Sequence, residues 1–137
     1  MSVDLETPLR EGWAIICALA ANAFEEDLDC GIYAVSINDP KRGCEIRDFL
    51  LETSDHDHLE AHALHLALCA ANEIRSESLI ACDENALAIC NGSVDTQKQA
   101  ALDSRLWGDI LRKLETLRTR VVLAPRTQFL EELDRRQ

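Results

Sequence analysis

Residues 31–53 read GIYAVSINDPKRGCEIRDFLLET and contain two runs in which apolar and polar residues alternate. Residues 40–43, PKRG, separate the runs, and proline and glycine at these places are typical of a turn between strands. An alternation with a period of two puts the apolar side chains of a strand on one face. The stretch therefore predicts a β-hairpin with antiparallel strands.

The chain after the hairpin predicts its longest helix, over residues 57–74. Ser54 or Asp55 can cap the start, because a short polar side chain there accepts a hydrogen bond from a free backbone N–H group. The apolar residues of this segment recur at the spacing of one helix face: Leu59, Ala63, Leu66, Ala67 and Ala70.

Short apolar runs and helical patterns alternate through the rest of the chain. SLIAC, residues 78–82, reads as a buried strand, and ENALAICNG reads as a brief helix closed by Asn91 and Gly92. The polar residues 93–99 predict a loop. The remaining predicted elements are an amphipathic helix at 100–117, a strand at 120–125 and a terminal helix at 126–137.

WAIICALAANAF, residues 13–24, is β-branched at its start and rich in alanine after it, so a strand and a helix are both tenable. A strand gives a mixed α/β architecture in which an antiparallel hairpin feeds a parallel sheet. A helix would remove the central strand. With 137 residues and 47% hydrophobic content, the chain can form one core but not two, so we expect an extension, residues 1–12, and a single domain, residues 13–137.

The sequence predicts a cytoplasmic protein that does not enter a membrane. No apolar run approaches the length of a membrane span, and MSVDLETPLREGW carries acids where a secretory signal would carry basic residues. The six cysteines never form a C-x-x-C pair, and several lie in apolar runs. We expect them to be reduced and buried.

The formal net charge of −11 argues against a simple nucleic-acid-binding module, because the molecule as a whole repels phosphate. Basic residues do surround Trp107, but acids interrupt them, so a solvated helix face around a core tryptophan is favoured. The basic residues are Arg105, Arg112, Lys113, Arg118 and Arg120, and the acids are Asp103, Asp109 and Glu115.

Several strings, in their order and spacing, resemble the ribonuclease H family from Trp13 onward. CGIYAVSINDPKRG is similar to the glycine-led second strand, turn and third strand of that family, and DHLEAHALHLAL to its first long helix, with Glu60 at the acid position. LIACDENALAICNG supplies Asp83 where the next strand ends. SRLWGDIL is similar to the later helix, and LEELDRR offers Glu131 in the last one.

This resemblance implies a mixed five-stranded α/β sheet, three antiparallel strands followed by parallel ones, with helices on both faces. It also implies cleavage of the RNA strand of RNA/DNA hybrids by two divalent cations held by carboxylates. Glu60 and Asp83 would be metal ligands and catalytic residues, with Glu131 as a longer substitute for a fourth acid. Oxygen ligands of this kind suit Mg²⁺ or Mn²⁺.

One position departs from the family. The acid of the first strand falls at or near Ala18, where no carboxylate is present, and the segment before the last helix has Arg126 but no histidine. We therefore favour a catalytically degenerate member without a cofactor, kept for binding or assembly with a protein partner or with itself. The alternative is an active metal-dependent endonuclease that binds an RNA/DNA hybrid.

The histidines near Glu60 need a separate interpretation. His58, His62 and His65 share one stripe of the predicted helix, and Glu60 lies roughly 160–200° around from it. The stripe and Glu60 therefore cannot serve one site. The stripe could bind Zn²⁺ or Ni²⁺, but a polar face turned to solvent is favoured.

Two of the implied site residues also have ordinary structural roles. Asp83 can be the N-cap of ENALAIC, and capping and metal binding could hold at once. Glu131 falls in the first turns of a helix, where the helix dipole favours acids.

Overall fold

The structure of this chain is a computed structural model that describes residues 3–22, 29–92 and 104–136. The predicted loop at 93–99 and the first residues of the helix predicted from 100 lie outside these ranges. The strands are β1 (Ala14–Asn22), β2 (Gly31–Asp39), β3 (Gly43–Leu51), β4 (Ser78–Cys82) and β5 (Val121–Pro125). The helices are α1 (Glu6–Glu11), α2 (His56–Ile74), α3 (Glu84–Cys90), α4 (Ser104–Leu117) and α5 (Arg126–Arg135).

The five strands form one mixed sheet in the order β3-β2-β1-β4-β5. β1, β2 and β3 pair antiparallel, and β1–β4 and β4–β5 pair parallel. The ambiguous segment at residues 13–24 thus contains the central strand, so the strand interpretation is confirmed and the helix alternative is wrong. The β-branched start of the segment, Ile15 and Ile16, pairs with strands on both sides.

The helix α2 packs across one face of the sheet. Its Leu64 and Leu68 share a core cluster with Ile16 of β1 and Ile80 of β4, and all four side chains are fully buried. Gly31 begins β2 beneath this helix, and a Cβ atom there would lie 2.3 Å from Cδ1 of Leu59. A side chain at position 31 would have to displace the buried Leu59 and would also lie 3.0 Å from the carbonyl oxygen of Ala21, so the close approach of β2 and α2 favours glycine.

The N-terminal segment, residues 3–12, and α5 cover the other face of the sheet over its parallel strands, β4 and β5. Leu5 and Phe129 pack with apolar residues of β4 and β5. The Gln128 side chain donates to the carbonyl of Val3 at 2.6 Å and accepts from the Val3 N–H group at 3.0 Å. Helices on both faces are thereby confirmed. The short helix α1 was not predicted, because its six residues carry no clear helical period.

The capping predictions are confirmed. Asp55 is the N-cap of α2 and accepts from the N–H group of Asp57 at 3.1 Å, and Asp83 is the N-cap of α3. None of the helices in the described ranges is long and apolar enough to cross a membrane. The six cysteines are free, as expected, but the expectation that they are buried holds for Cys82 alone. Cys44 is exposed on the edge strand β3, and the other four are partly buried.

Candidate functional site

One end of the sheet gathers the residues that the sequence singled out. Cys17 of β1 lies opposite Ala81 of β4, and Cys82 of β4 lies opposite Pro125 of β5. The strands β4 and β5 therefore end side by side, next to residues 17 and 18 of β1. The carboxyl ends of parallel strands are the usual place for ligands in open α/β sheets. Four residues meet here: Ala18, Glu60, Asp83 and Arg126. We call the site that they form the cleft.

Glu60 and Arg126 form a buried ion pair in the cleft. The Glu60 side chain, in the second turn of α2, is 1% exposed. Arg126 donates from Nη2 to Oε1 of Glu60 at 3.0 Å and from Nη1 to Oε2 at 3.4 Å. The same Nη1 donates to the carbonyl oxygen of Ala18. One guanidinium group therefore joins the first strand, the long helix and the last helix.

Burial and pairing act in opposite directions on these two groups. Burial raises the pKa of Glu60, and the hydrogen bonds and charge of Arg126 only partly oppose this rise. Burial lowers the pKa of Arg126, but the hydrogen bonds and charge of Glu60 more than offset it, so the pKa of Arg126 is raised overall. The guanidinium group thus keeps its positive charge throughout the physiological range.

Asp83 lies at the border of the cleft. Its Oδ2 atom accepts from the N–H groups of Asn85 at 3.0 Å and Ala86 at 3.3 Å, which is the geometry of an N-cap. A shallow groove of about 210 Å³ opens beside it. The groove is lined by Cys82, Asp83, Glu84, Asn85, Arg126 and Thr127.

His56 enters the cleft although the sequence analysis did not select it. Its Nε2 atom is 3.4 Å from Oε1 of Glu60, one helical turn further along α2. Ligand atoms of His56, Glu60 and Asp83 all lie within 4.8 Å of one another. The four-residue spacing of His56 and Glu60 could have indicated the contact, but nothing local indicates that Asp83 joins them.

Glu131 lies apart from this group. It is exposed on α5, and it is not in the cluster of potential metal ligands that the described residues assemble. Glu131 is five positions after Arg126, which corresponds to about 140° around a helix, so the two side chains leave α5 in different directions. Arg126 is the residue of α5 that reaches the cleft. A catalytic role for Glu131 stays a prediction.

No protein-family model and no curated protein matches this sequence. Solved structures do match it. A chain of the foamy viral protease-reverse transcriptase in complex with dsDNA is 16% identical, with 86% of this chain and 83% of that chain covered and a TM-score of 0.64. The N-terminal RNase H domain of Rv2228c from Mycobacterium tuberculosis is 13% identical, with 83% of each chain covered and a TM-score of 0.59.

RNase H1 from the halophilic archaeon Halobacterium salinarum NRC-1 is 16% identical, with 84% of this chain and 87% of that chain covered and a TM-score of 0.57. The chain has a ribonuclease H-like fold. The resemblance predicted from the sequence strings is therefore confirmed for the architecture. Identities this low carry the fold alone, so the chemistry depends on the residues of the cleft.

The cleft of this ribonuclease H-like fold does not fit a pair of divalent cations. Ala18 contributes only a backbone carbonyl group, and Arg126 already donates to that carbonyl and to both carboxylate oxygens of Glu60. Asp83 and His56 remain, and an imidazole with one carboxylate is a poor match for the near-octahedral oxygen shell of Mg²⁺.

The histidine stripe of the ribonuclease H-like fold is half-buried, so the expectation that it faces solvent is wrong. The His62 ring lies 5.2 Å from the ring of Tyr33 on β2 and 4.7 Å from the ring of His58. Burial, together with the charge of Lys113, lowers the pKa of His65. The stripe is partly covered because α2 contacts β2 and α4 in addition to the strands β1 and β4 under its apolar face.

The basic residues around Trp107 match their sequence interpretation. Trp107 is buried in the core. Arg112 pairs with Asp109 on α4. Arg118, directly after the end of α4, pairs with Glu115 of that helix at 2.9 Å. These acids neutralise part of the positive charge that a phosphate backbone would need.

Proposed function

We propose that this chain is a ribonuclease H-like domain that has lost two-metal cleavage and serves as a binding or assembly scaffold. The observation that carries the proposal is the position of Arg126. Its guanidinium group donates to the carbonyl of Ala18 and to Glu60. These are the residues of β1 and α2 that face the cleft. A permanent cation of the protein thus neutralises Glu60.

Electrostatics support a cleft without metal ions. A divalent cation that approached Glu60 would meet the Arg126 charge within hydrogen-bonding distance of the same carboxylate. The Arg126 side chain is only 22% exposed. Displacing it from Glu60 would leave its guanidinium group without its buried partner. Asp83 has its Oδ2 atom engaged in the N-cap of α3, which leaves Oδ1 as its carboxylate oxygen outside the cap.

The surface supports a protein partner. The formal charge of −11 disfavours a phosphate backbone, whereas exposed large apolar side chains are common on the antiparallel half of the sheet. These side chains are Leu19, Ile32, Ile46, Phe49 and Leu50. In this proposal the domain spans residues 13–137, acts in the cytoplasm and engages another protein chain or a second copy of itself.

The second candidate function is an active endonuclease that cleaves the RNA strand of RNA/DNA hybrids with Mg²⁺ or Mn²⁺. Its specific support is the closeness of His56, Glu60 and Asp83, whose ligand atoms lie within 4.8 Å of one another. A foamy viral protease-reverse transcriptase that matches this chain, at 14% identity and a TM-score of 0.67, was solved with an RNA/DNA hybrid. In this alternative Glu60 and Asp83 hold the cation and Glu131 assists.

The test is a cleavage assay on an end-labelled RNA/DNA hybrid, run in Mn²⁺ and in Mg²⁺ beside an identically prepared Asp83→Asn protein. We expect no cleavage by either protein, with circular dichroism showing that both are folded. Mn²⁺ binding, followed by electron paramagnetic resonance, should likewise be the same in both. Cleavage or Mn²⁺ binding that is lost in Asp83→Asn would overturn the scaffold proposal and support the second candidate.

A further inference from the structure

We propose that two copies of this chain associate by antiparallel pairing of β3 with β3, which joins their sheets into one continuous sheet. The inference rests on the proposed scaffold function, because it names the partner. It assigns a role to the edge strand β3 and to the apolar residues that the cleft does not use.

The strand β3 is well suited to add another strand. Within the described ranges its sheet neighbour is β2 alone. The nine residues Gly43–Leu51 pair with β2 in unbroken register, without a bulge or a proline, and most are exposed. A long, regular edge strand presents a row of free backbone N–H and C=O groups, which proteins usually protect by bulges, prolines or short length. β3 is long and lacks bulges and prolines, and its charged residues, Glu45, Arg47 and Asp48, favour some pairing registers over others.

The sheet face away from α2 carries an apolar row up to this edge. Leu50 lies opposite Ile32, and Ile32 lies opposite Ala21. Ile46 and Leu50 are each 75% exposed, and Ile32 is 45% exposed. The N-terminal segment and α5 cover only the parallel half of this face. A second sheet joined at β3 would continue the row and remove part of it from water.

Charge complementarity commits the pairing to a second copy and to one register. Pairing centred on Arg47 puts Arg47 opposite Arg47, and pairing centred on Asp48 puts two aspartates together. Pairing centred on Ile46 puts Ile46 opposite Ile46, with Glu45 opposite Arg47 twice. Opposite charges directly across two strands stabilise a sheet, and like charges destabilise it. We therefore assign the register centred on Ile46.

Ion pairs within one copy already fix the Arg47 side chain at the edge strand. Arg47 donates to Glu45 at 3.1 Å on its own strand and forms an ion pair with Glu73 of α2 at 2.8 Å. The Arg47 side chain is 26% exposed. Its guanidinium group therefore loses little conformational freedom when a second Glu45 arrives from the partner strand.

The first test measures mass by sedimentation equilibrium of the full chain over a concentration series in 150 mM salt. We expect a monomer–dimer equilibrium that Ile46→Lys weakens at least tenfold, because two lysines would meet at the centre of the pair. Leu130→Lys is the matched control, since Leu130 is 56% exposed on α5, and its dimerisation should equal that of the unchanged protein. A protein that is monomeric at every concentration, or equal weakening by both lysines, would overturn the proposal.

The second test uses charge reversal in two separate proteins. Glu45→Arg makes a strand with two arginines, and Arg47→Glu makes one with two glutamates, so each protein alone should lose dimers. Mixing them places every arginine opposite a glutamate and should restore a dimer that contains one of each. Misfolding cannot produce this rescue, and a mixture that stays monomeric would contradict the assigned register.

A third test reads the register directly, in a Cys44→Ser background. Ile46→Cys should form an intermolecular disulfide bond on mild oxidation, because residues opposite each other in antiparallel strands have Cβ atoms about 5 Å apart. Asp48→Cys, on the same face, should not. The reverse result would replace this register by the one centred on Asp48. A dimer that cleaves hybrids would overturn the proposed function alone, and an inactive monomer would overturn this inference alone.

Discussion

Among the described residues, two carboxylates are buried, at opposite ends of the sheet, and their hydrogen-bond partners differ. Glu60 is 1% exposed and has a guanidinium group bonded to both of its oxygens. Asp39, at the end of β2, is 2% exposed, and its Oδ1 atom accepts from the N–H group of Lys41 at 3.1 Å. Its Oδ2 atom accepts no hydrogen bond from the part of the chain that the structure describes and lies 4.0 Å from Nε of Arg42, an exposed side chain.

The difference shows what a distant partner adds to a buried charge. Asp39 is satisfied only by its own turn, whereas Glu60 is paired with a residue 66 positions away in the sequence. A buried charge without a partner costs several kcal/mol, so removing one member of the Glu60–Arg126 pair should destabilise the fold. Asp39 can be changed at little cost. The following predictions test this contrast in order of decreasing effect.

Arg126→Ala should cause the largest loss. It leaves Glu60 buried without its cation, which lowers the free energy of unfolding by about 3 kcal/mol and the melting temperature by roughly 10 °C. Glu60 limits the loss by taking up a proton. Urea titration at pH 7 measures the change, and Arg136→Ala, at an exposed ion pair, is the control with little effect. Equal stability of the two variants would mean that the cleft pair is not needed.

Glu60→Gln should change how stability depends on pH. Because the pKa of Glu60 is raised by burial, the folded protein binds this proton more tightly than the unfolded chain does. Stability therefore falls as the pH rises from the unfolded value, about 4.3, through the raised folded value. Glu60→Gln removes this contribution, so its stability relative to the unchanged protein should increase as the pH rises through that window.

Denaturant titrations at several pH values measure this difference. Glu52→Gln, at an exposed position before α2, is the control and should show no such trend. A relative stability of Glu60→Gln that decreases as the pH rises would show instead that Arg126 holds the pKa of Glu60 below its usual range.

Asp39→Asn should have a small effect of the opposite kind. The amide keeps an oxygen for the N–H group of Lys41 and removes a buried negative charge whose Oδ2 atom accepts no hydrogen bond from the described residues. We expect a gain in the free energy of unfolding of up to about 1 kcal/mol, because the ion pair with Arg42 is long and exposed. Thermal denaturation measures it. A loss of several kcal/mol would mean that Asp39 has a cationic partner as strong as Arg126.

Thiol labelling should distinguish the buried cysteines near the cleft from the exposed cysteine on β3, without any change in stability. Burial raises the pKa of Cys82 strongly and that of Cys90 to about 12, so neither should react with an alkylating reagent at pH 8 in the folded protein. Exposed Cys44 should react at once. Mass spectrometry after partial digestion locates the label. Rapid labelling of Cys82 would show that the cleft opens without Arg126 being changed.

The sequence predicted those features that depend on neighbouring residues. The hairpin follows from alternation and a Pro-Gly turn, and Asp55 and Asp83 cap their helices through N–H groups two or three residues away. Residues 13–24 remained ambiguous, because a run of alanine and isoleucine suits both a helix and a doubly buried strand. The similarity of several strings to the ribonuclease H family was needed to favour the strand, and the sheet order confirmed it.

The cleft shows the limit of this reasoning. The sequence indicated that Ala18 lacks a carboxylate and that Glu60 and Asp83 are candidates, because single residues decide such chemistry. Only the tertiary structure decided that Arg126, not Glu131, reaches Glu60, and that His56 joins them, since these contacts depend on how α2 and α5 lie against the ends of β1 and β4. Local patterns determine elements and caps, whereas packing between distant segments determines which charges meet.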